Sequence, residues 1–269
     1  MRSLYVVIVA LCLVFGANAS SKLIERAKNA PRDQLKAEIK AVLSPSFRSS
    51  LDDSIINFLN TNVRQIMLEG SEELGIPILD PLKIDHLDID LQMDPIALTG
   101  TADGVEVLEI STFVVDKIKT NLLMLNAEFA FHVPEIIAKG VNYNIEGSLS
   151  DMIPIYGSGA FEAVVEGLSI SGKLYLGSNN SYIYIKQLDL DVNITALTTH
   201  FEGLLGGGDL SDLANEVISD MAPEVFENAK PELIPVLSEA VINLANEKLD
   251  GVTLQDLLDL INGGGSKKK

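Results

Sequence analysis

The sequence predicts an α+β fold in which a long, curved antiparallel sheet wraps around a long helix, with further helices at the C-terminus. Apolar residues recur every three or four positions before residue 70 and again after residue 208, and they alternate with polar residues over most of the chain between. Helices and strands therefore come in separate runs, which favours α+β over a doubly wound α/β fold. Strands with one apolar and one polar face are typical of antiparallel sheets.

The length, the composition and the net charge of the chain limit the classes of function that it can have. The 269 residues suit one large domain or two small ones, and a hydrophobic content of 47 % is too high for a disordered chain. A net charge of −18 disfavours nucleic acid and anionic membrane surfaces, because both are bound through Lys and Arg. One Cys and three His exclude a multi-Cys zinc site and leave little room for a His-rich one, so we expect no metal and no cofactor.

The N-terminus resembles a secretory signal peptide, residues 1–19. Arg2 supplies the positive start, an apolar run follows, and Ala17-Asn18-Ala19 is a small-x-small cleavage site. The apolar run is shorter than the roughly 20 residues of a membrane span, and no later stretch is long enough, so we expect a secreted protein without stable membrane insertion. We expect a flexible or short-helical segment over 20–49, one domain over 50–262, and a disordered tail over 263–269.

The first predicted element is a helix that begins at Ser50 or Asp52 and ends at Gly70 or Gly75. Its apolar stripe comprises Ile55, Leu59, Val63, Ile66 and Met67. This stripe is available to cover the apolar face of the sheet.

Strands are predicted where apolar residues occur at every second position. These stretches are 87–93, 123–133, 143–149, 161–176 and 188–196. The period slips by one residue at Gly167, which indicates a β-bulge. After the linker 206–208, helices are predicted over 210–218 and 233–249, with a short one over 253–260; their apolar stripes are the other available covers.

Known catalytic motifs are absent from the sequence. It has no G-x-S-x-G elbow, no phosphate-binding loop and no H-E-x-x-H helix. His86 and His132 fall on the polar faces of their strands, and His200 is distant in sequence, so we expect no catalysis, although a Ser-His-Asp site could assemble through the fold. The aspartates between residues 85 and 94 are interpreted as a solvated face rather than a calcium site.

The remaining feature is the large number of apolar side chains on the predicted inner faces, which has two interpretations. The inner faces could form a filled core, or they could leave a cavity for an apolar ligand; periodicity does not separate the two. Asn179 and Asn193 begin glycosylation triplets, and Asn179 is the better candidate because it falls in a predicted hairpin turn.

Several segments resemble the insect haemolymph juvenile-hormone-binding and takeout-like proteins. These are Gly75-Ile76-Pro77-Ile78-Leu79-Asp80-Pro81-Leu82, Tyr143-Asn144-Ile145-Glu146-Gly147, Ile153-Pro154-Ile155-Tyr156-Gly157-Ser158-Gly159, and the C-terminal stretch from Asn215 through Pro223 and Pro231 to Asn246. They occur in the family's order over roughly residues 50 to 250. The mite group 7 allergens are the closest competing match. Family members usually carry a Cys pair near the mature N-terminus, which this chain lacks once Cys12 leaves with the signal.

The resemblance implies a tubular lipid-binding fold and a secreted carrier of small lipophilic molecules, such as a terpenoid hormone or a fatty acid. From the assigned faces, the predicted lining residues are Phe58, Val63, Ile66, Phe129, Phe131, Tyr143, Ile145, Phe161, Leu174, Leu176, Phe226 and Leu237. Tyr143 is predicted to be a polar anchor.

Other functions remain open. One is a filled-core, allergen-like interaction protein of the same fold, acting in innate immunity or surface binding. Others are a hydrolase with an unrecognised site and a bacterial-lipid binder of the permeability-increasing type, against which the acidic charge argues.

Overall fold

The computed structural model describes residues 45–72, 75–93, 96–121, 124–149, 153–180, 182–253 and 256. The predicted signal peptide, most of the predicted N-terminal segment and the predicted C-terminal tail lie outside these ranges. Most of the short helix predicted over 253–260 does so too. None of the helices within the described ranges is long and apolar enough to cross a bilayer.

The predicted first helix is confirmed, but it begins earlier than expected. Helix α1 (Pro45–Phe58) continues through a π-helical turn (Leu59–Val63) into α2 (Arg64–Glu69). Gly70 ends it with a φ of +75°, a conformation that suits glycine. Asp52 is therefore an internal residue rather than the predicted cap.

Within the described residues, seven strands form one antiparallel sheet. They are β1 (Leu82–Met93), β2 (Ile96–Leu108), β3 (Val114–Asn121), β4 (Asn126–Leu149), β5 (Ile153–Asn179), β6 (Tyr182–Asn193) and β7 (Ala196–Phe201). The long β4–β5 hairpin is the centre of the sheet. Strands β2 and β3 pair with different parts of the outer edge of β4. On the other side of the hairpin, β6 and β7 pair with different parts of the outer edge of β5. In the described strands the order runs from β1 to β6 without closing into a barrel.

The β-bulge predicted at Gly167 is wrong. Val133 pairs with Leu168 and Glu135 with Glu166, so neither strand carries an extra residue there. The apolar residues of β5 instead change from odd-numbered to even-numbered positions at Gly167, because this glycine has a φ of +60°. The register shift lies further along, between Gly140 and Tyr143 of β4.

Residues 209–248 form one continuous helix rather than the two helices predicted over 210–218 and 233–249. Helix α3 (Asp209–Lys248) spans 40 residues and contains Pro223, Pro231 and Pro235. Each proline removes one backbone donor, and the helix nevertheless continues past all three. The helix is thus not interrupted at its prolines, although proline usually kinks or ends a helix.

Two asparagines attach α3 to the edge strands. The Asn215 side chain accepts a hydrogen bond from the Phe201 backbone N–H (2.8 Å) and donates one to the Phe201 carbonyl (3.1 Å). Asn246 makes the same pair of bonds with Ile185, at 2.6 and 3.0 Å. Each amide therefore satisfies both backbone groups of one residue, on β7 and on β6 respectively. These bonds fix the position of α3 along the β6–β7 edge.

A carboxylate attaches the first helix to the opposite side of the sheet. Asp52 of α1 accepts hydrogen bonds from the Thr120 backbone N–H (2.9 Å) and the Thr120 hydroxyl (2.6 Å) on β3. The sheet is thus bordered by α1 at β3 and by α3 at β6 and β7.

Candidate functional site

The larger apolar cluster brings together seven of the twelve predicted lining residues. They are Phe58, Val63, Ile66, Phe129, Phe131, Leu174 and Leu176. Six of the seven are at most 8 % exposed, and Ile66 is partly buried against them. Val241, Ala245 and Leu249 complete the cluster from the C-terminal end of α3 and the residue after it. We call this set the first cluster; its side chains are covered by one another.

A π-helical turn lies within the first cluster. Leu59 and Val63 of this turn are 2 % and 4 % exposed, and Phe58 directly before it is 4 % exposed. Thr61 donates a hydrogen bond to the Asn57 carbonyl (2.7 Å), a side-chain bond that competes with the regular helical pattern. Ile55, Phe58 and Leu59 lie at spacings of three and four, so they share one buried face of the helix. Such turns occur often at functional sites.

The second cluster contains three more of the predicted residues, Tyr143, Ile145 and Phe161. The rings of Tyr143 and Phe161 meet edge to face at 6.2 Å, and Phe201 stacks on Phe161 at 5.4 Å. The Tyr143 hydroxyl, predicted as a polar anchor for a ligand, instead donates a hydrogen bond to the Glu202 carbonyl at 2.8 Å. Burial, with a smaller contribution from the Glu202 charge, raises the pKa of Tyr143 above its ordinary value.

Two glycines of the segment 153–159 allow this close packing. A Cβ atom at Gly157 would lie 2.6 Å from the Tyr143 hydroxyl oxygen, and one at Gly159 would lie 2.9 Å from the Glu202 carbonyl oxygen. Only residues without a side chain fit both positions. The segments around residues 143 and 157 that carried the resemblance therefore meet in one hydrogen-bonded corner of the fold.

An apolar strip on β5 connects the two clusters. From Phe161 in the second cluster it continues through Ala163 and Val165, changes phase at Gly167, and reaches Leu174 in the first. At roughly 3.3 Å per residue the thirteen steps from Phe161 to Leu174 extend about 43 Å. Ala163 and Val165 are half-buried and belong to neither cluster.

The opposite strand supplies matching apolar side chains along this β5 strip. Ile136 of β4 pairs with Val165, and Ala138 pairs with Ala163. Directly paired residues share a face of the sheet, so these four half-buried side chains lie together. The predicted lining set omitted all four, although the alternation in 161–165 indicated two of them.

Phe226 and Leu237, the remaining predicted lining residues, belong to neither cluster and are half-buried on α3. The Lys230 ammonium lies 5.7 Å from the centre of the Phe226 ring. Lys230 also donates hydrogen bonds to Asn193 and Glu227. Phe226 is therefore part of a polar contact between α3 and β6.

A row of alternating charges crosses five strands. Register pairs place Lys83, Glu106, Lys139, Glu162 and His200 side by side on β1, β2, β4, β5 and β7. The Glu106 carboxylate lies 3.1 Å from the Lys83 ammonium and 3.5 Å from that of Lys139. The hydrogen bond from Lys83 is the largest cause that lowers the pKa of Glu106. All five residues line an open groove of about 700 Å³, whose charges do not suit an apolar ligand.

The other end of the sheet has a second alternating row. Lys119, Glu128, Lys173 and Asp189 are register neighbours on β3, β4, β5 and β6. Glu128 lies 3.7 Å from Lys173 and 2.7 Å from Lys117. Opposite charges on adjacent strands stabilise their pairing. In the described part of the chain, no group of His, Cys, Asp and Glu side chains is placed to hold a metal ion.

The two predicted glycosylation acceptors differ in their surroundings. Asn179 is exposed at the end of β5, next to Asn180, which has a φ of +50° in the turn to β6. Asn193 is half-buried and accepts a hydrogen bond from Lys230, whose side chain is 13 % exposed. A glycan fits the surroundings of Asn179 better, and its attachment at either site stays a prediction.

The family of the chain follows from a comparison with family models. The model of the haemolymph juvenile hormone binding protein (JHBP) family matches residues 12–259. The chain belongs to this family. The predicted resemblance is therefore confirmed, and the match extends over both clusters and the β5 strip.

Solved structures support the fold of this JHBP-family chain. It is similar to the crystal structure of Epiphyas postvittana Takeout 1, with a TM-score of 0.56 and 18 % identity over 77 % of this chain and 94 % of that one. This match confirms the predicted fold class, a large antiparallel sheet with a long C-terminal helix. Lipopolysaccharide binding protein matches with a TM-score of only 0.32, at 17 % identity over 65 % of this chain and 35 % of that one. No curated protein sequence matches the chain.

Proposed function

We propose that this chain is a secreted, non-catalytic carrier that binds one small lipophilic molecule along the β5 strip. The observation that carries the proposal is the half-buried apolar strip between two buried clusters, in a sheet whose described strands do not close into a barrel. Membership of a family named for juvenile hormone binding supports a lipophilic ligand, such as a terpenoid or a fatty acid. Burial of apolar ligand surface would drive binding, at about 25 cal/mol per Å² before the entropic cost of association.

The position of the ligand follows from the exposure of the side chains. The first cluster is covered by protein, so a ligand there would have to displace Phe129 or Phe131. Ala138 and Ala163 face each other across β4 and β5, are half-buried, and are small. We therefore propose that the ligand lies over this alanine pair and extends toward either cluster.

Substitution at this pair tests the proposal. Ala163→Trp fills the space over the pair and should weaken binding of a fluorescent fatty acid and of a fluorescent terpenoid at least tenfold. Glu162→Trp is the matched control, because it adds the same ring to the exposed neighbour on the opposite face and should leave both affinities unchanged. Equal affinities in both variants would place the ligand elsewhere.

The second candidate is a filled-core interaction protein of the same fold. The nearly complete burial of the predicted lining residues in the first cluster favours it. Under this alternative the wild-type protein binds neither fluorescent lipid, whereas the carrier proposal requires that it bind at least one.

A further inference from the structure

The first half of α3 has its polar side toward the sheet. Ser211 donates a hydrogen bond to the Phe201 carbonyl (2.9 Å), and the Thr199 N–H donates one to the Ser219 hydroxyl (2.9 Å). Asn215 lies between these serines at a spacing of four and bonds both backbone groups of Phe201. Residues four apart share a helix face, so one polar stripe attaches this half of α3 to β7.

The opposite side of the same helix is apolar and exposed. We call Leu210, Leu213, Val217 and Met221 the α3 stripe; their exposures are 59 %, 56 %, 45 % and 43 %. Their spacings of three and four place them on one face. Val217 follows Asn215 by two residues, so the two point about 200° apart around the helix. The sequence predicted that Leu210, Leu213, Val217 and Ile218 would cover the sheet; this is wrong for the first three, which are exposed, whereas Ile218 is half-buried.

This arrangement reverses the usual polarity of a surface helix, in which the apolar stripe faces the core. The backbone of the β7 edge requires hydrogen-bonding partners, and the serines and Asn215 provide them. The apolar side chains are then left on the outside. Contiguous exposed apolar surface of this kind is typical of a docking site.

The charges around the α3 stripe indicate what docks there. Five exposed carboxylates lie on the same half of the helix, and they are Asp209, Asp212, Glu216, Asp220 and Glu224. The sequence has no Lys or Arg from residue 209 until Lys230. The apolar stripe is thus accompanied by five carboxylates and by no Lys or Arg from the same stretch of the helix.

We propose that the α3 stripe is a docking surface for another protein, which presents apolar side chains flanked by Lys or Arg. A second copy of this chain would bring two sets of five carboxylates together, and such like-charge contacts oppose association. An anionic lipid surface is repelled for the same reason. A basic, apolar protein surface satisfies both the stripe and its carboxylates. The surface is separate from the β5 strip, so the inference does not depend on the proposed carrier function.

Peptide binding to the full-length protein tests this inference. The probe is a fluorescent 18-residue helical peptide with a Leu stripe and Lys elsewhere. Two matched peptides replace either the Lys residues by Glu or the Leu residues by Ser. We expect fluorescence anisotropy to show binding of the Leu/Lys peptide only. The double variant Leu213→Ser, Val217→Ser should weaken it at least tenfold.

A matched variant controls for exposed apolar residues elsewhere. Met124 and Val141 are 68 % and 77 % exposed and lie outside α3, so Met124→Ser, Val141→Ser should leave peptide affinity unchanged. Far-ultraviolet circular dichroism confirms that each variant is folded. The proposal is overturned if the wild type does not bind the Leu/Lys peptide, if either matched peptide binds equally well, if the α3 variant binds with equal affinity, or if the wild type forms a dimer that the α3 substitutions dissociate. Binding to neutral phosphatidylcholine vesicles that this variant abolishes would instead assign the stripe to a lipid surface.

Discussion

Tyr143 stabilises the corner where β4, β5 and the segment after β7 meet. Its ring contacts Phe161 and Phe201, and its hydroxyl bonds the Glu202 carbonyl. The sequence predicted that Tyr143 would be buried and that its hydroxyl would need a partner. It did not predict the partner, because Glu202 is 59 residues away and approaches only through the glycines of β5.

Tyr143→Phe should lower the free energy of unfolding by about 1 kcal/mol, because it removes one hydrogen bond and keeps the ring contacts. Urea unfolding measures the change. Tyr182→Phe is the control, since Tyr182 is 49 % exposed and should change stability much less. If the two variants have equal stability, the Glu202 bond does not contribute.

His86 lies beside two carboxylates on the surface of β1. Its Nδ1 is 2.5 Å from Asp103 on the neighbouring strand, and its Nε2 is 3.4 Å from Asp88. The hydrogen bond with Asp103 is the largest cause that raises the pKa of His86 above 6.5. The folded protein therefore binds this proton more tightly than the unfolded chain. The resulting stabilisation is fully present below pH 6.5 and is lost as pH rises through the folded-state pKa.

Asp103→Asn should lower the pKa of His86, which an NMR titration of the imidazole measures directly. The stability difference between wild type and variant should be larger at pH 5.5 than at pH 8.5. An unchanged His86 titration in the variant would show that Asp103 does not hold the proton.

At the scale of elements, α3 depends on its two asparagine contacts. The Ile185 N–H and carbonyl, on a residue that is 2 % exposed, both bond Asn246. Asn246→Ala leaves these groups without their partner and should cost about 1–3 kcal/mol in unfolding free energy.

The matched control for this substitution is Asn243→Ala, three residues earlier on the same helix and exposed. It should have a small effect, since helix propensity favours Ala. Hydrogen exchange at the Ile185 amide should accelerate in the Asn246 variant alone. Equal stability of the two variants would contradict the anchoring role.

Periodicity predicted the first helix and parts of β1, β4, β5 and β6. It missed β2, because the buried residues Ala102 and Val105 are an odd number of positions apart and the φ of +60° at Gly104 switches the face between them. It also missed β3. Only two residues of this strand are buried, and one of them, Thr120, is polar, so Ile118 alone does not produce an apolar alternation. In β5, by contrast, the alternation on both sides of Gly167 was long enough for the strand to be predicted across the change of phase.

In the whole molecule, ten of the twelve residues predicted to line a cavity lie in apolar clusters, and their contact with a ligand stays a prediction. Alternation did not show that the twelve predicted residues divide between two clusters, because that division depends on which halves of β4 pair with β2 and β3. Nor did it show that half-buried alanines connect the clusters, since the prediction favoured large side chains. The net charge of −18 lies far from zero, and such a charge favours solubility.

We propose that the β5 strip holds a lipophilic molecule, and native mass spectrometry is the sharpest test of this proposal. The sample is the full-length protein, purified from its natural source without detergent. We expect each chain to carry the mass of one small lipophilic molecule, which organic extraction removes and which Ala163→Trp protein fails to rebind. A native mass equal to that of the chain and any glycan alone, together with no rebinding of the extract by wild-type protein, would contradict the account.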